Sequence, residues 1–299
     1  MKLSHAYRIP DLAEYINWVY FDHAWGMPVG DTAEKKQLRT DAHRMLGRMT
    51  SYTTVRAAAR LFPCHAEGDD IILHTPDVPQ VTTEDKNSNF LSSYAATASQ
   101  PCAQPRLPML RQQHPDAQGH CLCLADFIRP KGTTPDTIGL FATTVATPLN
   151  YDDNYSQLLA QTLADRLAEA AAERLHEEVR KKLWGYAPDE ALTMDELHAE
   201  HFQGIRPAVG YPSLPDLSIN FLLASLLDFA ELGITLTEHG MMTPHASVSG
   251  LMLAHPAAHY FSVGTISDEQ LNDYAHRRGL PTDVMRTYLA ANLHQKTNA

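Results

Sequence analysis

Residues 204–216 read Gly204-Ile205-Arg206-Pro207-Ala208-Val209-Gly210-Tyr211-Pro212-Ser213-Leu214-Pro215-Asp216. Three prolines and two glycines in thirteen residues exclude a helix interior and a central strand, so the segment runs extended or turning. A backbone of that kind can offer its own amides and carbonyls to a ligand. Arg206 adds a planar fork of five donors suited to a carboxylate or phosphate, and Tyr211 adds an aromatic face for a planar or cationic group. These are the parts for holding a small zwitterion. The same composition also suits a rigid connector with a solvated Arg and a packed Tyr.

The clearest periodicity lies just upstream. Over 153–184, Leu158, Leu159, Leu163, Leu167, Ala170, Leu175, Val179 and Leu183 keep a helical period, and Gly185 stops it. Within that helix Glu169, Glu173, His176, Glu177 and Arg180 stand three and four residues apart, the spacing of exposed pairs worth about 0.2–0.5 kcal/mol each. A single one turned inward would mean more. Thr193 and Glu196 form a capping box for a short helix over 193–202, which delivers Glu200 six residues before Arg206.

Downstream, 218–232 reads as an apolar helix ended by Gly233. Strands follow at 234–238, 247–253 and 260–264, joined by the loop His239–His245 and a turn at His255-Pro256. Ser267 caps a helix running to Arg278, and another spans 281–293. Toward the N-terminus, 11–27 is a short helix entering an aromatic turn, and 31–60 carries a long helical pattern. Leu61–Leu73 is strand, turn and strand around Gly68-Asp69, while 75–118 is proline-rich and mostly loop. Cys121–Phe127 and Ile138–Val145 are apolar runs of strand length. Strands cluster in antiparallel-compatible groups divided by helices, which favours α+β over a doubly wound sheet, with 1–299 as one domain.

Composition narrows the function. A net charge of −11 argues against a nucleic-acid partner, which needs clustered Lys and Arg. Cys64, Cys102, Cys121 and Cys123 fit neither a disulfide framework nor a zinc ribbon, so a reducing cytoplasm is expected. No apolar run approaches a membrane span, and Met1–Pro10 lacks a signal peptide's apolar core. There is no G-x-G-x-x-G after a strand, no P-loop, no H-E-x-x-H and no G-x-S-x-G. The sixteen histidines show no metal-ligand spacing, and no metal site is expected. Asp41-Ala-His43 resembles the start of a D-x-H-x-x-G corrinoid loop, but Gly47 falls one residue late in a helical setting, which leaves His43 on the surface.

Together, Leu163–Ala170, Leu175-His-Glu177, Trp184–Pro188, Gln203–Pro212, Leu236-Thr-Glu238, Ala246–Gly250 and His255-Pro256 resemble the C-terminal activation domain of cobalamin-dependent methionine synthase in order and spacing. Leu61-Phe-Pro63, Gly68–Ile71, Leu124–Phe127 with Pro130-Lys131, and Ile138-Gly with Phe141-Ala142 extend the likeness over nearly the whole chain.

The resemblance implies a C-shaped α+β domain with a central twisted antiparallel sheet flanked by helices, binding S-adenosylmethionine without a Rossmann fold. It implies that Arg206, Ala208, Gly210 and Tyr211 lie along that ligand, with Glu200, Tyr260, Asn17 and Glu169 as further contacts. Met241, Met242, Thr243, Pro244 and His245 are expected to face the corrin ring, because their loop joins two strands beside the ligand segment; the alternative is a plain hairpin connection. Asn17 stands where the family usually has an aspartate for the ligand's ammonium, and Leu217 where it often has a histidine. No general acid or base is expected, because methyl transfer from a sulfonium needs alignment. The implied role is reductive remethylation of cob(II)alamin on a separate cobalamin-binding methionine synthase chain, with an electron from flavodoxin or a similar reductase and no turnover by this chain alone. The alternatives are an S-adenosylmethionine sensor or assembly protein, and a reactivase for another corrinoid methyltransferase.

Overall fold

Along residues 54–67, Val55, Ala57, Ala59 and Leu61 pack into one buried cluster, while Ala58, Phe62 and Cys64 pack into another. That two-residue alternation is a strand buried on both faces. The computed structural model describes residues 1–75, 104–115, 117–148 and 150–293. In chain order these form β1 (Lys2–Tyr7), α1 (Ile9–Leu12), α2 (Trp18–Ala24), α3 (Ala33–Met49), β2 (Thr54–Glu67), β3 (Asp70–Leu73), β4 (Arg106–Pro108), β5 (Asp136–Ala146) and α4 (Asn154–Glu178). After them come α5 (Met194–His198), α6 (Ile219–Leu227), α7 (Phe229–Leu232), β6 (Thr235–Leu236), β7 (Met242–Thr243), β8 (Ser247–Met252), α8 (Asp268–Arg278) and α9 (Thr282–Tyr288).

The main sheet is antiparallel throughout, in the order β4-β3-β2-β5-β8, with β1 also on β2. β2 is long enough to hold two partners on one edge: Val55–Arg60 pair with β1, and Cys64–Glu67 pair with β3. The fold is the expected α+β domain, its sheet curled into a half-barrel. On one face lie α3 and the 25-residue α4, whose Leu163, Leu167 and Leu175 are fully buried. Each such leucine contributes about 1.5–3 kcal/mol of apolar burial. On the other face lie α6 and α7. Among the described residues no helix is long and apolar enough to cross a membrane.

Several elements depart from the sequence reading. The helix expected over 31–60 ends at Met49, and β2 begins at Thr54, because Ala57-Ala58-Ala59 serve the sheet centre, where small side chains admit helices on both faces. Leu124–Phe127 is a 3₁₀ turn rather than a strand, with Asp126 accepting from the Cys123 amide at 2.9 Å. Residues 260–264 form no strand; the Val263 amide instead bonds the Pro212 carbonyl at 2.9 Å. Within the expected 75–118 loop, Arg106–Pro108 is a strand on β3, and 76–103 and 116 lie outside the described residues. The helix expected over 218–232 breaks at left-handed Asp228. Regular α-helix ends earlier than expected at Glu178, His198 and Tyr288.

One close approach fixes how the 204–212 segment meets the sheet. A Cβ on Gly250 would stand 2.2 Å from the Pro207 carbonyl oxygen and 2.9 Å from Ala208 Cα. Gly250→Ala is therefore expected to cost about 1–3 kcal/mol in denaturant unfolding. Gly47→Ala in α3, where a Cβ meets nothing within 4 Å, should be neutral or stabilising by about 0.5–1 kcal/mol in the same assay.

Candidate functional site

Asp165, Glu169, Glu173 and Glu177 recur every fourth residue along α4, and each carboxylate is met by a different part of the chain. His245 Nδ1 lies 3.4 Å from Asp165. Tyr211 donates to Glu169 at 2.8 Å, Arg206 Nη2 to Glu173 at 3.0 Å, and Tyr15 to Glu177 at 2.7 Å. Residues four apart form one ridge on a helix, each step rising about 6 Å. The ridge therefore brings the first aromatic segment, the 204–212 segment and the 241–245 loop to one side of the molecule.

The segment itself is clamped between this ridge and β8. Ile205 and Leu253 exchange amide–carbonyl bonds at 2.9 and 3.0 Å, Val209 donates to Ser249 at 2.9 Å, and Leu251 donates to Pro207 at 3.0 Å. Ala208 opposes Gly250 in the pair these bonds flank, so its amide and carbonyl point away from β8. Its carbonyl accepts from Tyr211 at 3.2 Å. At the far end Asp216, fully buried, accepts from Ser218 at 2.8 Å, from Tyr274 at 2.9 Å and from Arg278 at 3.3 Å, which ties the segment to α8.

Arg206 is nearly buried. Its amide donates to Tyr260 Oη at 2.9 Å, and its guanidinium carbon lies 5.6 Å from the Phe141 ring centre. Burial works against the charge, but the carboxylates of Glu173 and Glu169 outweigh it and hold the guanidinium firmly protonated. Arg206 Nε and Glu173 Oε1 are both buried and have no hydrogen-bond partner among the described residues. Burial, then Glu169, raises the Tyr211 phenol, and burial raises that of Tyr260, so both stay neutral donors.

Glu200 is the strained member. The His201 amide bonds Glu196 and the Glu200 amide bonds Leu197, both at 3.0 Å, closing a Schellman turn with Glu200 at φ 59° where glycine is normal. A side chain held in the left-handed region costs on the order of 1 kcal/mol, a cost that concentrates at functional positions. Burial first, then Glu173, raises the Glu200 carboxyl above its ordinary range, while Arg206 opposes them.

Residues 8–279 match the family model of the vitamin B12-dependent methionine synthase activation domain. The chain belongs to that family. A crystal structure of the MetH reactivation domain bound to AdoHcy shares 34% identity with it at a TM-score of 0.84, covering 99% of this chain and 91% of the other.

In this activation domain Arg206, Ala208, Gly210, Tyr211, Tyr260, Glu169 and Glu200 gather on one side, held through the contacts above. Leu217 lies against Gly210, its Cδ2 3.0 Å from where a Cβ would stand. Asn17 has another occupation: its Oδ1 caps α2, accepting from Val19 at 3.1 Å and Tyr20 at 3.4 Å. It nevertheless sits two residues past Tyr15, whose carbonyl is 3.1 Å from His198 Nε2 in α5, the helix that ends beside Glu200. Met241–His245 is not a plain loop, since Met242–Thr243 pair with β6; Met241 and His245 stay exposed. Among the described residues no group of three or more His, Cys, Asp or Glu side chains could hold a metal ion. A depression lined by Arg48, Tyr52, Tyr151 and Ser156 lies at the N-terminal end of α4 and shares no residue with this site.

Sequence reasoning passed over Asp165 and treated Glu173 as a surface residue, although the four-residue acidic spacing was there to be read. Glu200→Gly should relieve the left-handed strain, raising stability by about 0.5–1 kcal/mol in thermal unfolding while weakening ligand binding in calorimetry.

Proposed function

We propose that this domain binds S-adenosylmethionine along residues 204–212 and presents its methyl group to a cobalamin held by a methionine synthase module. The observation that carries this is the buried Arg206 with an unused Nε donor, set beside the outward-facing amide of Ala208. Support comes from the AdoHcy in the related structure, since AdoHcy is S-adenosylmethionine after loss of its methyl.

The division of labour follows from charge. Arg206 takes the ligand's carboxylate, Ala208 offers backbone polar groups, and Gly210 lets the chain turn at φ 88° so that Tyr211 reaches Glu169. Tyr211, half exposed, presents its ring toward the sulfonium, with Glu169 adding negative charge behind it. Glu200 and Tyr260 close the site, while Asn17 contributes an acceptor without a charge. The loop Met241, Met242, Thr243, Pro244 and His245, exposed at 241, 243 and 245 and joined to the ridge through His245 and Asp165 one helical turn from the Tyr211–Glu169 pair, suits a surface for the corrin ring. In transfer, the sulfur–methyl bond breaks, its electron pair stays on sulfur, and the methyl passes to cobalt that has been reduced by one electron from flavodoxin or a similar reductase. No residue need move a proton. The protein's contribution is alignment and exclusion of water.

Mixing the chain with a cob(II)alamin-loaded methionine synthase module, reductant and S-adenosylmethionine is expected to give the methylcobalamin absorption spectrum. Arg206→Ala should remove it and weaken binding at least tenfold. Binding without methylcobalamin at any ratio would favour the sensor or assembly reading, and unimpaired binding by Arg206→Ala would place the site elsewhere. Affinity should also rise with pH through the raised Glu200 range and level off above it, because only the ionised carboxylate attracts the cationic ligand. Buffer-dependent calorimetric enthalpies would report the proton released on the acid side.

A further inference from the structure

Among the buried polar atoms without a partner in the described residues, five come from four neighbouring side chains: Glu173 Oε1, His176 Nδ1 and Nε2, Arg180 Nη1 and Arg206 Nε. Glu173, His176 and Arg180 follow at three and four residues, so one helix face carries them inward. The inward position of Arg180 coincides with a π-helical turn at Val179–Leu183, a distortion frequent at functional sites. Orphaned polar atoms at this density call for a reason.

The four residues separate into two pairs. Arg180, fully buried, makes a two-pronged pair with Glu190 at 2.8 and 2.7 Å and stacks 4.2 Å from the Phe202 ring centre. His176 meets the same ring edge-on at 4.9 Å. Burial first, then the charges of Arg180 and Arg206, drive its pKa far down, so it stays neutral. This pair supports the Phe202 ring, and with Glu190 balancing Arg180 the group adds no net charge. The other pair, Arg206 and Glu173, is joined through Nη2 and Oε2, and Nε of the one and Oε1 of the other are left buried without a partner among the described residues. Glu169 and Glu200 lie within electrostatic reach of that pair and have no Lys or Arg ion partner among the described residues, so the surroundings carry surplus negative charge and favour an added cation.

We propose that Glu173 is a specificity residue: its Oε1 accepts the ligand's α-ammonium while Arg206 Nε donates to the α-carboxylate, so the pair reads an intact amino-acid zwitterion. This rests on the S-adenosylmethionine reading above and adds to it a reader for the ammonium. An unpartnered donor and an unpartnered acceptor on two side chains bonded to each other match the two charged groups carried on one α-carbon. A ligand lacking either group leaves a buried partner unpaired, and sites built this way reject such analogues strongly.

The test is calorimetry on the full chain with three probes: S-adenosylhomocysteine, its desamino analogue that keeps the carboxylate, and methylthioadenosine, which has neither group. Wild-type protein should bind S-adenosylhomocysteine about ten- to a hundredfold more tightly than the desamino compound. Glu173→Gln should lose most of that preference, weakening S-adenosylhomocysteine while leaving the desamino ligand within about twofold. Equal weakening of both ligands would reduce Glu173 to a support for Arg206 and overturn the proposal while the binding site stands. Equal affinity of wild-type protein for both would overturn it without any variant, should Glu173→Gln lose cooperative unfolding. Failure of the wild-type chain to bind S-adenosylhomocysteine at all would instead sink the S-adenosylmethionine reading.

Discussion

Everything at this site depends on the acidic ridge of α4. A helix that buries Leu163, Leu167 and Leu175 against a sheet has its remaining faces fixed by that burial, so Asp165, Glu169, Glu173 and Glu177 come to lie where 15, 206, 211 and 245 can reach them. The partly exposed pairs among them are worth little individually. Arg206 and Glu173 are different: they are nearly dry, and removing either would leave an uncompensated buried charge, a loss of about 3–5 kcal/mol. That makes the pair a poor choice for stability alone and a good one for fixing position.

The sheet supplies the second constraint. Proline-rich chain cannot sit inside a sheet, but it can lie along one, and residues 204–212 do so beside β8 by alternating bonded and free residues. Gly250 permits the contact by having no side chain, and the buried Asp216–Tyr274–Arg278 cluster pins the far end. The backbone of Ala208 therefore faces outward from a rigid edge. Binding to such a surface loses less ordering entropy than binding to a mobile loop.

Much of this was legible in the residues. The 204–216 segment announced itself by its prolines and glycines, α4 by its period, the caps by Thr193 and Ser267, and the antiparallel α+β class by the clustering of strands. What failed did so for tertiary reasons. Ala57-Ala58-Ala59 has helical composition, yet the sheet centre needs small residues there, and Tyr260–Gly264 has strand composition but bonds to Pro212 and Ser213 instead of a ladder. The inward position of Arg180 is invisible to α-helical periodicity, because the π turn at Val179–Leu183 shifts the face it presents. Left-handed Glu200 gave no signal, since the sequence shows a glutamate without showing that its position asks for glycine.

The most direct measurement is residue-resolved amide hydrogen exchange with and without S-adenosylmethionine. The account predicts slowed exchange at Ala208, whose amide points away from β8, with little change at Ile205 and Val209, whose amides are already bonded to Leu253 and Ser249. Unchanged exchange throughout 204–212 in ligand-saturated protein, or protection confined to another part of the chain, would contradict it.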